Sequence, residues 1–267
     1  MNFIDFLYGA AVWKMGAVIS LIIVGSTILT LVVVNRFWDR ELRRAHNDIA
    51  GFLIAVVGVV FAILVSSLAI TVLTRQDHAE ALVMQEAETL GAIYRDAGLL
   101  EPANRNALRS DLRAYLDAVI DREWPEMSRA EWPAAGDAGV SAMWADVARL
   151  PADTYATALR VTRLQSRIDT LTDIRRNRGE LATTGVDRVV WGVVLFGSAA
   201  TILFAVLFGV PNFLAHLLMT SLLAFTIALA IIMVVAIDWP YFGDDVINPD
   251  RLATLRTELI RDAAAPI

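Results

Sequence analysis

The sequence contains no cysteine, which excludes disulfide bonds, thiolate metal sites and thiol nucleophiles. Lysine occurs once, at Lys14, so 22 of the 23 basic residues are arginines. The formal net charge at pH 7 is -6, and the chain therefore lacks the basic excess that is typical of a nucleic-acid-binding domain. We expect no nucleic acid among its partners.

Catalytic and metal-binding motifs are also missing. The three histidines, His46, His78 and His216, lie in separate segments without metal-ligand spacing. The sequence has no H-E-x-x-H or G-x-S-x-G motif and no glycine-rich loop for phosphate or dinucleotide binding. We expect a protein that is not an enzyme and requires no cofactor.

Long stretches of the sequence lack charge altogether. The hydrophobic share is 57% and the mean hydropathy is +0.54, whereas soluble domains have about 45–50% apolar residues. A helix rises about 1.5 Å per residue, so roughly 20 apolar residues cross a hydrocarbon layer of about 30 Å. Four stretches qualify, at about 16–34, 49–73, 189–210 and 214–237. The sequence predicts an all-α, four-span membrane helical bundle.

The spans divide the chain into four parts. Residues 1–74 form an N-terminal membrane hairpin, 75–188 a long helical extramembrane domain between spans 2 and 3, 189–237 a C-terminal membrane hairpin, and 238–267 a tail. The N-terminus lacks the basic region of a signal peptide, so we expect it to be retained. Four spans place both termini on the same side of the membrane as the long domain.

The second span continues without a proline into an amphipathic pattern, which predicts one helix from Ile49 to Ala97, about 70 Å long. We expect Gly98 to end this helix and Pro102 to start another, which runs to Trp124-Pro125. The pattern further predicts a loop at 127–140, a short helix at 141–150, and a last helix that is capped by Asp153 or Thr154 and ends near Gly179. Asn47 or Asp48 is expected to cap the second span.

Four passages resemble the bestrophin-like family of bacterial and plant membrane proteins. They read NDIAGFLIAVVGVVFAILVSS, EALVMQEAETLGAIYRDAG, EWPEM and WPYFGDDVINP. The resemblance extends from about Val34 to Glu258, and the family is itself distantly similar to the bestrophin chloride channels. It implies a homopentamer, a cytoplasmic helical domain and a central pore lined by the second span. We accordingly expect a bacterial inner (plasma) membrane location with both termini in the cytoplasm, although the arginines alone leave the orientation open.

The resemblance also bears on calcium. Bestrophins bind calcium through a dense acidic run after the last span, whereas the acidic residues here are interrupted by WPYFG. Asp244 and Asp245 are the candidates for a hard cation, because carboxylate oxygens are its preferred ligands. The alternative is a solvated turn, and calcium gating is not expected.

Two rows of residues stand out on the second span. Gly51, Ala55, Gly58 and Ala62 form a small-residue row that favours close packing of another helix. In a ring of subunits, a different face could form a hydrophobic constriction, with hydroxyls of Ser66, Ser67, Thr71 and Thr74 at its wider end. The alternative for this face is packing against lipid or core. Its residues are Phe52, Val56, Val59, Ile63, Ser66 and Ile70, which we call the pore stripe.

Within the four spans, charged residues occur only at the ends. Their absence inside the spans argues against an ion-coupled transporter and is compatible with a passive pore. Rings of Arg36, Arg40, Arg43 and Arg44 at one mouth and Arg75 at the other would favour anions such as chloride, unless they only anchor the spans in the interface. Glu86 lies beside an apolar helix face and needs a partner there, for which Arg163 and Arg167 are the candidates.

Two functional hypotheses follow. The first is an oligomeric ion channel, anion-conducting and pentameric, with the lipid bilayer, chloride and further copies of the chain as partners. The second is a non-conducting membrane scaffold or sensor whose helical domain recruits a partner. They differ in whether the pore stripe carries ions.

Overall fold

The computed structural model describes residues 12–242 and 247–264, so Asp244 and Asp245 lie outside the described residues. Within these two ranges the chain is helical, without any strand. The helices are α1 (Val12–Phe37), α2 (Arg40–Arg44), α3 (Asn47–Ala97), α4 (Pro102–Ala118), α5 (Trp124–Met127), α6 (Asp137–Ala148), α7 (Tyr155–Thr183), α8 (Arg188–Val206), α9 (Phe213–Ile237) and α10 (Asp250–Ala264). A π-helical turn, Val119–Glu123, joins α4 to α5.

Four helical stretches are long and apolar enough to cross a membrane. They fall within Trp13–Phe37, Asn47–Ala97, Tyr155–Val206 and Phe213–Ile237, and α8 is the apolar part of the third. The prediction of an all-α chain with four spans is confirmed at this level. The helix predicted from Ile49 to Ala97 is also present, since α3 is continuous over 51 residues.

The chain divides into two compact units. The first comprises the described residues up to Thr74 together with Val186–Asp238. Its core is formed by apolar side chains of α1, α3, α8 and α9, namely Met15, Leu68, Val72, Val194, Ile227, Ile231, Val234 and Val235.

The second unit comprises Arg75–Gly185 and the described residues from Trp239 onward. Its core includes the apolar face of α4, where Leu108, Leu112, Tyr115 and Leu116 are at most 1% exposed. Two expected helix starts are confirmed: α4 begins at Pro102, and Thr154 caps α7 in a reciprocal pair of hydrogen bonds with Thr157. The short helix expected at 141–150 is displaced, since α6 begins at Asp137, inside the loop expected at 127–140, and ends at Ala148. The expected end of α7 near Gly179 is wrong by one turn, because the helix continues to Thr183.

The π-helical turn was not expected, since the pattern predicted one helix as far as Trp124-Pro125. Pro125 has no backbone N–H, and its ring would clash with the carbonyl four residues earlier in a regular helix. The wider turn relieves this conflict, and the N–H of Trp124 donates to the carbonyl of Val119, five residues back. Glu123, the last residue of this turn, is fully buried.

The chain reversal after α5 contains a residue in the left-handed region. Ala130 has a φ of 57°. Its N–H donates to the carbonyl of Met127 at 2.9 Å, and the N–H of Glu131 donates to the carbonyl of Glu126 at 3.0 Å. This double hydrogen bond is a Schellman motif, which strongly favours glycine at the left-handed position.

We expect Ala130→Gly to raise the free energy of unfolding by about 1 kcal/mol, because glycine has no Cβ to strain the left-handed conformation. Ala114→Gly, on the exposed side of the regular helix α4, should instead lower it by about 1 kcal/mol. Chemical unfolding of the full chain in detergent measures both. Equal losses of stability in the two variants would contradict the role assigned to Ala130.

Candidate functional site

The pore stripe of α3 lies uncovered in the single chain. Its apolar members range from 49% exposed at Val56 to 70% exposed at Phe52, and Ser66 is exposed as well. On the buried side of the same helix, Leu68 is 5% exposed and Val72 is 0% exposed. The described part of the chain therefore packs α3 by one face and leaves the stripe free for lipid, water or a second molecule.

The small-residue row of α3 is also uncovered. Ala55 and Ala62 are exposed, and a Cβ added at Gly51 or Gly58 would have nothing within 4 Å outside its own helical neighbourhood. Within the described ranges, no helix of the chain provides the predicted close packing.

The hydroxyls at the wider end of the stripe are used partly within the helix. Thr71 donates to the carbonyl of Ser67 at 2.9 Å, and Thr74 donates to that of Ile70 at 2.8 Å. Threonine hydroxyls commonly bond this way inside helices. Their oxygen lone pairs remain available, whereas their protons are already donated.

The five arginines predicted at the pore mouths differ in their surroundings. Arg36, Arg40 and Arg44 are exposed and form no ion pair within the described ranges. Arg43 is only 6% exposed, and its guanidinium donates to the carbonyls of Val206 at 3.4 Å and Phe208 at 3.2 Å and to Asn35 Oδ1 at 2.5 Å. Arg75 donates to the carbonyl of Thr184.

Arg43 is thus hydrogen-bonded to the carbonyl end of α8 and is not a free charge at a pore mouth. The last four carbonyls of a helix have no partner inside the helix, and a cation near them is favoured by the helix dipole. His216 adds a third contact, since its Nε2 lies 3.1 Å from the carbonyl oxygen of Ala205. These side chains satisfy the carbonyl end of α8 from two directions.

Asn47 binds the same region. Of the two candidate caps of the second span, Asn47 and Asp48, Asn47 does not act as one, because its side chain instead accepts from the N–H of Gly209 at 2.9 Å and donates to its carbonyl at 3.1 Å. Gly209 also lies against the backbone of Arg44, where an added Cβ would come within 2.4 Å of the amide nitrogen. The short segment between α1 and α3 is therefore fixed to the end of α8 by backbone contact and side-chain hydrogen bonds.

A buried ion network forms the centre of the second unit. Glu86 and Glu123 are 0% exposed, and Arg178 lies between them, with Nε 3.0 Å from Glu86 Oε2 and Nη2 2.7 Å from Glu123 Oε2. Arg175 completes the network, with Nη2 2.5 Å from Glu123 Oε1 and Nη1 2.6 Å from Asp137 Oδ1. The need of Glu86 for a cationic partner was predicted correctly.

The predicted identity of that partner was wrong. Arg163 and Arg167 face Asp96, at 3.9 Å and 2.6 Å, instead of Glu86. Helical spacing shows that α7 has several arginines near its apolar face, but it does not distinguish which one enters the core. Arg178 lies nearer the end of α7 and is fully buried.

Two further groups donate to the carboxylates of the network. Tyr115 donates its hydroxyl to Glu86, and the N–H of Gly136 donates to Glu123 Oε1 at 2.7 Å. Burial opposes ionisation of Glu123, but the guanidiniums of Arg178 and Arg175 outweigh it and lower the pKa of this carboxyl below its ordinary value. Burial raises the pKa of the Tyr115 phenol well above its ordinary value, so Tyr115 remains a donor.

This arrangement is suited to holding helices together. The buried members, two carboxylates and two guanidiniums, balance in charge, and the exposed Asp137 lies at their edge. Breaking such a buried set is costly because it strands a charge in the interior. No group of three histidine, aspartate or glutamate side chains that could hold a metal occurs in the described portion of the chain.

The bestrophin-like domain matches residues 21–252 of the sequence. The chain belongs to the bestrophin-like family. No relative was found among curated proteins. Solved structures of a bacterial bestrophin homologue from Klebsiella pneumoniae are similar to this bestrophin-like chain in fold: one variant has a TM-score of 0.69 at 10% identity and another has 0.68 at 11%. The first alignment covers 92% of this chain and 99% of the other, and the second covers 90% and 99%.

In this bestrophin-like protein, three of the passages that carry the family resemblance meet at the ion network. Glu86 comes from the passage on α3, and Glu123 and Trp124 come from EWPEM. The Trp124 ring lies 5.2 Å from the Arg178 guanidinium and makes an edge contact with Tyr241 of the last passage, at 5.9 Å between ring centroids. The Trp124 indole N–H also donates to the carbonyl of Ile247 at 2.9 Å.

This convergence in the bestrophin-like chain was not predicted from the sequence, although two indications were present. Glu86 interrupts an apolar helix face, and Glu123 directly precedes a Trp-Pro pair in a segment of helical spacing. Two carboxylates at such positions require buried cations. A search among the arginines of α7 for two that share one face, three residues apart, gives two pairs, Arg160 with Arg163 and Arg175 with Arg178.

Proposed function

We propose that this bestrophin-like protein is the subunit of an oligomeric ion channel that conducts anions, chloride among them, through a pore lined by α3. The observation that carries the proposal is the uncovered pore stripe of α3, whose opposite face is buried. In this proposal the subunits form a homopentamer and the stripes of neighbouring copies face a common axis.

The need for an oligomer follows from the composition of the spans. A water path through a bilayer must be enclosed by protein, because backbone and ions are not solvated by lipid. In α3, only 11% of the most apolar 18-residue window is buried inside the chain. One subunit therefore offers a single wall of a pore, and further copies supply the others.

The apolar stripe would act as a constriction that closes by losing water, and its polar end would admit ions. Exposed arginines near one end of the spans add positive potential, which favours anions. Arg36, Arg40 and Arg44 are the candidates for this charge. Arg43 and Arg75 donate to backbone carbonyls, so any effect that they have on the ions would come through these bonded groups. Calcium has no assigned role in the proposal.

The proposal places the second unit outside the bilayer, as a helical vestibule on the cytoplasmic side of a bacterial inner membrane. Its charged network and its polar helix α7, with six arginines between Tyr155 and Thr183, support an aqueous location. Both termini would lie on the same side, because the chain has four candidate spans.

The proposal predicts that Ile63→Ser raises the unitary conductance or the leak of the reconstituted full-length protein, because a hydroxyl wets an apolar constriction. Leu64→Ser is the matched control. Leu64 is the next residue on α3 and is 40% exposed, but a helix turns by about 100° per residue, so it lies off the stripe. Planar-bilayer recording in symmetric chloride measures both variants.

Equal conductance of wild type and both variants, in a wild-type channel that is demonstrably open, would remove the stripe as the constriction. A larger increase with Leu64→Ser would assign the pore to a different face of α3. Absence of any current from wild-type protein in the bilayer would favour the non-conducting scaffold.

A further inference from the structure

The segment between α1 and α3 presents a charged and aromatic surface. Together with Arg36 in the last turn of α1, it has four arginines against Asp39 and Glu41, and the Asp39 carboxylate is engaged in accepting the N–H of Glu41 at 2.9 Å. The segment joins two candidate membrane spans, so its residues lie where the spans meet the headgroup layer. We call the three exposed arginines at this end of the spans, Arg36, Arg40 and Arg44, the arginine turn.

The arginine turn is held in a fixed shape. Arg43 is buried between Asn35 and the carbonyls at the end of α8, and Asn47 holds both backbone polar groups of Gly209. Burial of Arg43 within α2 turns its sequence neighbours outward, because adjacent residues of a helix point about 100° apart. A surface that is already ordered loses little conformational entropy when it binds a ligand.

The exposed side of this segment combines cations with apolar side chains. The arginine turn forms no ion pair in the described part of the protein, so its guanidinium donors are available to a ligand. Between these arginines, Phe37 is 83% exposed, Trp38 is 50% exposed and Leu42 is 55% exposed. Aromatic and aliphatic side chains at a span end are at home among lipid headgroups and upper acyl chains.

We propose that the arginine turn binds the headgroup phosphates of anionic phospholipids. A guanidinium fork matches phosphate oxygens in geometry and charge, and juxtamembrane basic clusters attract anionic lipids. The apolar residues between the arginines favour a lipid, which has acyl chains to contact them, over a free phosphate in water. Bound phosphates would neutralise the arginine turn, so the lipid content of the membrane would also set the anion preference of the adjacent pore mouth.

Lipid binding is tested separately from conduction, so the outcome does not depend on the channel proposal. The full-length protein in detergent is titrated with phosphatidylglycerol or phosphatidylcholine, and bound lipid is counted by native mass spectrometry. Wild type should retain phosphatidylglycerol in preference to phosphatidylcholine. R36Q/R40Q/R44Q should lower phosphatidylglycerol affinity by about 100-fold, since each arginine near an anionic surface contributes roughly fivefold.

Two further variants separate the arginine turn from charge in general. R36K/R40K/R44K should keep most of the phosphatidylglycerol binding, because the charge remains. R129Q/R149Q/R176Q removes the same charge from exposed positions of the second unit and should bind like wild type. Equal affinity of wild type for the two lipids would overturn the proposal without any variant, and undiminished phosphatidylglycerol binding by R36Q/R40Q/R44Q would overturn its location.

Discussion

Arg178→Met is expected to lower the free energy of unfolding of the full chain by about 3–5 kcal/mol. The substitution keeps a long side chain in the core but removes the guanidinium that lies 3.0 Å from Glu86 and 2.7 Å from Glu123. Glu123 retains Arg175, whereas Glu86 retains only the hydroxyl of Tyr115. An uncompensated carboxylate in a fully buried position is the reason for the large loss.

The chain offers a matched control two residues earlier. Arg176 is on the same helix, its side chain is 74% exposed, and it pairs with Glu180 at 3.2 Å. Exposed pairs of this kind contribute little, so Arg176→Met should change the free energy of unfolding by at most about 0.5 kcal/mol. Thermal unfolding of both variants in detergent, followed by tryptophan fluorescence, compares them directly. Similar losses in the two variants would contradict a structural role for the network.

A double variant separates the ion pair from simple packing. Glu86→Gln keeps an acceptor for Tyr115 while removing the charge that Arg178 balances. In the Arg178→Met background, Glu86→Gln should therefore restore part of the lost stability, whereas in the wild-type background it should reduce stability because Arg178 loses a counter-ion. Equal effects in the two backgrounds would show that the two side chains are not coupled.

Much of the fold could be predicted because local rules determine it. The four spans follow from length and absence of charge, and the breaks at Gly98 and Pro102 follow from what those residues do to a helix. Thr154 was a candidate cap because its hydroxyl accepts from the N–H three residues later, as observed at 3.2 Å. In each of these cases the deciding groups lie within a few residues of one another.

The partners of buried charges could not be predicted in the same way. Arg178 is 92 residues from Glu86 along the chain, and Arg43 is 165 residues from Phe208. Periodicity identifies the face on which a residue lies, but not the element that packs against this face. From the sequence, Arg43 was consequently predicted to be a free charge at a pore mouth, although its guanidinium donates to carbonyls at the end of α8 that have no partner in the helix.

Gly209→Ala is the second substitution with a large expected effect, in this case on the first unit. The new methyl would lie 2.4 Å from the amide nitrogen and 2.8 Å from the Cα of Arg44, and both are backbone atoms that no side-chain rotation can move away. The segment would have to separate from the end of α8 and stretch both hydrogen bonds between Asn47 and Gly209. We expect a loss of about 1–3 kcal/mol, the usual range for forced overpacking.

Gly192→Ala distinguishes crowding from any general intolerance of alanine in the first unit. Gly192 lies inside α8, and an added Cβ would have nothing within 4 Å outside the helix's own nearby backbone. Alanine favours a helix interior over glycine by about 0.5–1 kcal/mol, so this control should unfold at the same temperature as wild type or higher. If Gly209→Ala unfolds no earlier than Gly192→Ala, the contact between Gly209 and Arg44 does not fix the segment between α1 and α3. If Gly209→Ala unfolds earlier, the backbone contact between Gly209 and Arg44 helps to hold the segment in its fixed shape. The lipid-binding proposal for the arginine turn depends on that fixed shape.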